Sequence, residues 1–430
     1  MPSGRRRRRP QGHPAKVARR REPTRTRSAE RLPDLERIAK AVCDEAAQLP
    51  TALDAELWAS GILGSWWPGP KGFVAEGGEL ELGGPLVEAI TRIGGEGALA
   101  ALLALGEVSE TELGLLALKR AERLAAAGVP RPGWGPAIRE ADILRAAVMR
   151  EDVFDDGATI FLEARHGDAE PHAIGVYVDN NLGVMAKDIL LADSIDAVES
   201  VLRDHPRDDG DVRLEPIALP DAAARIRAAM ELTDMTLAAP VGEEYAALRS
   251  LALLRIDELP YVEVDVGRPD VNADARERLL EEFLAAPEAT GTKIGSEQAD
   301  VVSMAIDFCA DHVDGRPLRW SPVVVELFMA DWLPRKVVAD EAFFRAVPAG
   351  LDAWIRYAGR LGGLPASAIG RNIEAVAEWT GAMLGAALDG ERRGPAAAFI
   401  AAAQEAGVDL TDESAVATFV AGWNARSAAT

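Results

Sequence analysis

The sequence predicts a predominantly helical α+β fold. Irregular helical bundles flank a small central α+β module, and a disordered, basic N-terminal tail precedes them. Three observations predict this. Apolar residues make up 48% of the chain and aromatics only 5%, a balance that favours Ala-rich helix packing over aromatic-rich sheets. Apolar spacing is helical before residue 151 and again after 235, with a change to strand-like alternation between them. The first 31 residues have no apolar periodicity at all. With 430 residues, a chain of this length holds about three folding units. The segments are 1–31 (tail), 32–150 (helical), 151–235 (α+β module) and 236–430 (C-terminal helical domain).

The tail is set apart by charge. Residues 1–31 carry a formal +10, and with −22 for the whole chain the remaining residues carry −32. Such a segment buries too little apolar surface to offset the entropy of ordering. Its basic residues include Arg5, Arg6, Arg7, Arg8, Arg9, Lys16, Arg19, Arg20 and Arg21. Guanidinium groups make bidentate, charge-assisted bonds to phosphate, so this run is a candidate polyanion-binding arm for RNA or DNA. It has no interleaved aromatics for base stacking. Two other readings stand beside it: docking on an acidic partner, including this protein's own body, and passive solubilisation. A flexible arm of this length reaches about 30 Å, whereas the Debye length at physiological salt is about 8 Å. The arm is therefore long enough to work away from the acidic body.

In 32–150, Glu110 to Ala127 is the clearest helix. Ser109 and Glu112 form a capping-box pattern, Leu113, Leu116, Ala117, Ala121 and Leu124 keep one face, and Gly128 and Pro130 stop it. Trp66-Trp67 before Pro-Gly-Pro interrupts the region. One ring of this pair is a candidate partner contact; the alternative is a clamp holding a loop on the core. The Gly-rich stretch that follows, to Gly84, reads as a short hairpin.

In the module, Ala158–Arg165 and Ala173–Asp179 read as strands joined by a polar turn. His166 and His172 flank that turn. Gly183–Leu191 reads as a strand or a helix start. Ser194 caps a helix to about Arg203, Val212–Ile217 is a strand, and Asp221–Thr233 a helix. Asp179, Asn180 and Asn181, with Lys187 and Asp188, are the most site-like residues of the body. Carboxylates, two amides and a lysine after a strand suit a small polar ligand. The same Asp-Asn-Asn-x-Gly run also suits a tight turn.

After 236 the pattern is helical again. Ser321-Pro322 starts a helix that Pro334 ends. Leu351, Trp354, Ile355, Ala358 and Leu361 mark the next face, stopped by Gly362-Gly363. Further helices start near Pro365, Pro395 and Thr411. Trp320, Trp332, Trp354, Trp379 and Trp423 read as core anchors.

No catalytic motif is present: there is no phosphate-binding Walker loop, nucleophile elbow or zinc-protease signature. Asp155 and Asp156 with Glu163 and Asp168 lack the strand-borne lysine of a nuclease site. The five His and two Cys residues show no metal-ligand spacing, so neither metal nor cofactor is expected. Cys43 and Cys309 suggest reduced, buried thiols in a cytoplasmic protein. No secretory leader or membrane span is read; the apolar run Gly97–Gly106 is too short to cross a bilayer. From Trp320-Ser321-Pro322 through Asp331-Trp332-Leu333-Pro334-Arg335-Lys336 to Ala353-Trp354-Ile355-Arg356-Tyr357-Ala358, the chain resembles a helical region of an uncharacterised protein family of high-GC bacteria, over about residues 320–390. The opening, with Gly12-His13-Pro14-Ala15-Lys16 after the arginines, is similar to openings in such proteins. The resemblance implies source and compartment, and no activity. The expected role is that of a non-enzymatic binding protein, its arm on a polyanion and its body on protein. A small-ligand sensor or enzyme centred on the module, and a plain scaffold, are the alternatives.

Overall fold

A computed structural model describes residues 25–67, 78–204, 212–257, 259–260, 269–389, 394–410 and 412–427. It has the predicted class: a predominantly helical chain around one antiparallel sheet of five strands. The basic residues from Arg5 to Arg21 lie outside the described residues, and α1 begins at Arg25, inside the basic segment.

Helices α1 (Arg25–Ala46), α2 (Ala52–Gly64), α3 (Gly78–Ile93), α4 (Gly95–Val108) and α5 (Glu112–Ala126) come first. The apolar run within α4 is the centre of this layer. Every residue from Ala98 to Gly106 is buried, as expected for a helix apolar on all sides and packed by neighbours all round. Among the described residues no helix is long and apolar enough to cross a membrane. Gly78 to Gly84 is helical in α3, not a hairpin. The helix bends its composition to packing: a Cβ at Gly83 would meet Leu113 at 2.6 Å and the Trp66 ring at 2.9 Å. Thr111, not Ser109, caps α5, its hydroxyl accepting from the Leu113 N–H at 3.3 Å. Ser109 instead hydrogen-bonds the Thr111 hydroxyl at 2.9 Å.

The sheet runs β4-β3-β2-β1-β5, from β1 (Ala141–Arg150), β2 (Gly157–His166), β3 (His172–Asp179), β4 (Met185–Ala192) and β5 (Arg213–Ile217). β1 falls within the segment read as helical. Its Ala, Leu, Arg and Met residues favour helix locally, but pairing with β2 on one side and β5 on the other overrides that preference. Gly183–Leu191 resolves into β4. Alternation divides the faces. Val148, Ile160, Leu162, Ile174 and Val176 join the large core with α2–α5, α7 (Leu219–Met235) and α8 (Tyr245–Asp257). Ala147, Phe161 and Ala173 face the other way, beneath Ile195 of α6 (Ile195–Asp204). Gly175 lies opposite Phe161, and a Cβ there would meet that ring at 2.6 Å.

A second apolar core belongs to α9 (Ala273–Ala285), α10 (Pro287–Thr292), α11 (Ser296–His312), α12 (Pro322–Glu326), α13 (Leu333–Lys336), α14 (Glu341–Leu361) and α15 (Ala366–Asp389), with Trp320, Trp354, Phe283 and Phe328 at its centre. α16 (Pro395–Glu405) and α17 (Glu413–Ser427) follow. Ser321 caps α12 through the Val324 N–H at 3.1 Å. Pro334 does not end this helix. A π-helical turn at Leu327–Trp332 lies between α12 and α13, and the chain stays helical to Lys336. The wide turn keeps the proline ring off the preceding carbonyls.

Candidate functional site

The residues singled out in the module form a turn and one wall of a junction between the two cores. Asp179 ends β3 and opens a 3-10 turn, Asn180–Leu182, by accepting from the Asn181 N–H at 2.8 Å. Gly183 closes the turn with φ 82, a conformation glycine adopts without strain. The second Asp179 oxygen accepts from Lys187 Nζ at 3.0 Å. Asn180 donates its amide to the Asp155 carbonyl at 2.8 Å. Asp188 turns away and accepts from the Ile189 N–H at 2.9 Å.

Asn181 and the β1–β2 loop face the second core. Arg319 is nearly buried and donates to Asn181 Oδ1 at 2.9 Å, Asp156 Oδ1 at 2.9 Å and Asp314 Oδ2 at 2.6 Å. Arg316 donates to the same Asp314 oxygen at 2.6 Å and to Asp155 Oδ2 at 2.6 Å. Asp155 also stands 3.5 Å from Arg150. An alternating chain of charges, Asp156–Arg319–Asp314–Arg316–Asp155–Arg150, thus crosses from one core to the other. The Arg371 guanidinium lies over the Phe154 ring at 4.9 Å, beside this chain. Glu163 belongs elsewhere. It accepts from Arg145 at 2.9 and 3.0 Å and from the Ile195 N–H at 2.7 Å, so it is not gathered with Asp155 and Asp156. Among the described residues, no group of three or more His, Cys, Asp or Glu side chains could hold a metal ion.

Trp66 and Trp67 both pack against the first core. Trp67 donates from Nε1 to Asp234 at 3.1 Å, and its ring lies 5.2 Å from that of Tyr245.

A second polar cluster lies inside the first core, and its members Glu56 and Arg255 carry no sequence signal. Ser60 and Gly64 follow Glu56 at four and eight residues, on one face of α2. Ser60 donates to the Ala247 carbonyl at 2.6 Å, and Gly64 leaves no room for a Cβ against Ala246. These small residues draw α8 against α2, which brings Arg255 to Glu56. Both are fully buried. The Glu56 carboxylate accepts from Arg255, from His166 Nε2 at 3.1 Å and from the Arg139 N–H at 3.0 Å. Arg255 also points Nε and an Nη at His172 Nε2, at 3.2 and 3.0 Å. These donors assign His172 Nε2 as an unprotonated acceptor, with its proton on Nδ1. The two imidazoles stack, 5.7 Å apart and 13° from parallel.

Burial alone would raise the Glu56 carboxyl, but the His166 hydrogen bond and the Arg255 charge hold it down to about 2. Burial, then the Arg255 cation, push His172 down to about 3. At the rim, Arg139 reaches Glu110 at 3.2 Å and Arg227 pairs with Asp257 at 2.6 Å. A hydrogen bond to Asp257, with burial, raises the Glu110 carboxyl to about 7 against the pull of Arg139.

These shifts set opposite slopes. His172 binds its proton more readily in the unfolded chain, so its contribution is full above about pH 6.5 and is lost as pH falls towards 3, at up to about 1.4 kcal/mol per pH unit. Glu110 binds its proton more readily in the folded chain, so stability rises as pH falls from about 7 to 4.5. Glu110 is 44% exposed, and solvent screening makes its slope the shallower. Urea unfolding between pH 6.5 and 5 should therefore show net loss of stability on acidification. His172→Gln keeps an acceptor for Arg255 but does not titrate, and should flatten or reverse that slope. An unchanged slope would contradict the assignment.

Comparison with protein-family models, curated proteins and solved structures returns no match.

Proposed function

We propose that this chain is a binding protein in which the basic residues of 1–31 contact RNA, DNA or another polyanion without sequence preference, while the acidic remainder contacts protein. The observation that carries this reading is the partition of charge, +10 on residues 1–31 against −32 on the rest. Arginine-rich runs supply sequence-independent phosphate contacts, and an anionic body is repelled by the same phosphates. The reading is favoured over a ligand site at Asp179–Asp188 because those side chains are engaged within the chain: Asp179 with Lys187, Asn180 with the Asp155 carbonyl, Asn181 with Arg319. Turn and junction account for them.

Fluorescence anisotropy with labelled duplex DNA and RNA of scrambled sequence tests the reading. Affinity should fall by about 10³ between roughly 50 and 200 mM salt, as for six or more phosphate contacts, with little difference between sequences. Affinity that is flat in salt would refute it.

A further inference from the structure

Where the junction's chain of charges ends, two arginines stand on adjacent strands. Arg150 is the last residue of β1 and Arg213 the first of β5, and they are direct partners in the antiparallel register. Residues so paired project from the same face with their Cβ atoms about 5 Å apart, and like charges there are destabilising. Both line an open pocket of about 220 Å³, together with Asp152, Val153 and Asp155.

The two carboxylates do not settle the pair. Asp155 is held by Arg316 at 2.6 Å and is only 3.5 Å from Arg150. Asp152 turns its Oδ1 to the loop backbone, accepting from the Phe154 N–H at 2.8 Å and the Asp156 N–H at 3.4 Å. The Arg213 guanidinium has no ion-pair partner among the described residues.

We propose that Arg150 and Arg213 form a binding site for the oxyanion group of a small molecule, a carboxylate or a phosphoryl group. Two guanidinium forks converging from adjacent strands match the two or three oxygens of such a group, and charge-assisted bonds to it offset the repulsion between the arginines. The pocket volume admits one small metabolite. This site is separate from the polyanion contact proposed for residues 1–31. Asp155 is at once a wall of the pocket and the anchor of Arg316, so an occupant also bears on the junction between the cores.

Thermal unfolding of the full chain tests this, with inorganic phosphate in one arm and succinate in the other, each against chloride at matched ionic strength. At saturation the occupied site should raise Tm by about 2–4 °C or more. Arg213→Gln and Arg150→Gln should each abolish that increment. Because Arg213 is exposed and has no ion-pair partner among the described residues, Arg213→Gln should leave Tm in chloride unchanged or slightly raised. The residues of 1–31 are common to all these proteins, so their contribution cancels. An increment with phosphate alone assigns a phosphoryl ligand, and with succinate alone a carboxylate. An increment as large in Arg213→Gln as in the unaltered chain, or none in either arm with the unaltered chain, overturns the proposal.

Discussion

Replacing Arg255 with Met should destabilise the protein by about 3–5 kcal/mol, the usual cost of removing one partner from a buried ion pair. Glu56 and Arg255 are fully buried. Methionine fills much of the same volume but leaves the carboxylate with only His166 and the Arg139 N–H. The ring nitrogen of His172 loses both of its donors as well. The charge left behind, and not the lost volume, dominates. Adding Glu56→Leu to Arg255→Met should therefore recover much of the loss, because two apolar groups replace two charges together. The urea midpoint reads both effects. A double variant less stable than the single one by the ordinary cost of a second core substitution would show that packing, not the uncompensated charge, sets the effect.

Arg319→Met should cost about 2–3 kcal/mol, less than Arg255→Met because Asp314 keeps Arg316. The change strips a donor from Asp156, from Asn181 and from Asp314, all in the wall between the cores. Arg316→Met removes bonds of similar length, but Arg316 is 38% exposed, and solvent replaces what it gave. Its expected cost is under half that of Arg319→Met. Equal losses for the two variants, measured by urea unfolding, would show that burial does not set the cost.

Local patterns carried much of the fold. Ser321-Pro322 starts a helix because the serine hydroxyl meets the Val324 N–H, and Gly362-Gly363 follows the end of α14. The strands read at Ala158–Arg165 and Ala173–Asp179 are β2 and β3 within a residue or two. β1 was hidden because its residues prefer helix when alone; two neighbouring strands decide its state. The π-helical turn before Pro334 was hidden for a like reason, since a proline read locally marks a helix end.

The site divides in the same way. The Asp179–Gly183 turn is visible because Asp, Asn and Gly carry local backbone preferences. What the turn faces is not. Arg319 lies 138 residues from Asn181, and Arg255 lies 199 residues from Glu56. In the sequence these are ordinary charged residues among many. Arg150 and Arg213 become a pair only once β1 is known to be a strand. Charge partition needs no contact map, which is why the contrast between residues 1–31 and the rest could be read at once.

That contrast is tested most directly by one comparison. The nine residues Arg5, Arg6, Arg7, Arg8, Arg9, Lys16, Arg19, Arg20 and Arg21 are all replaced by Gln, ahead of α1, and binding to scrambled duplex DNA is measured at about 50 mM salt against the unaltered chain. Affinity should fall by about 10³ or more and the salt dependence should collapse, with urea unfolding unchanged. Binding that survives at full strength would show that these nine residues do not make the contact.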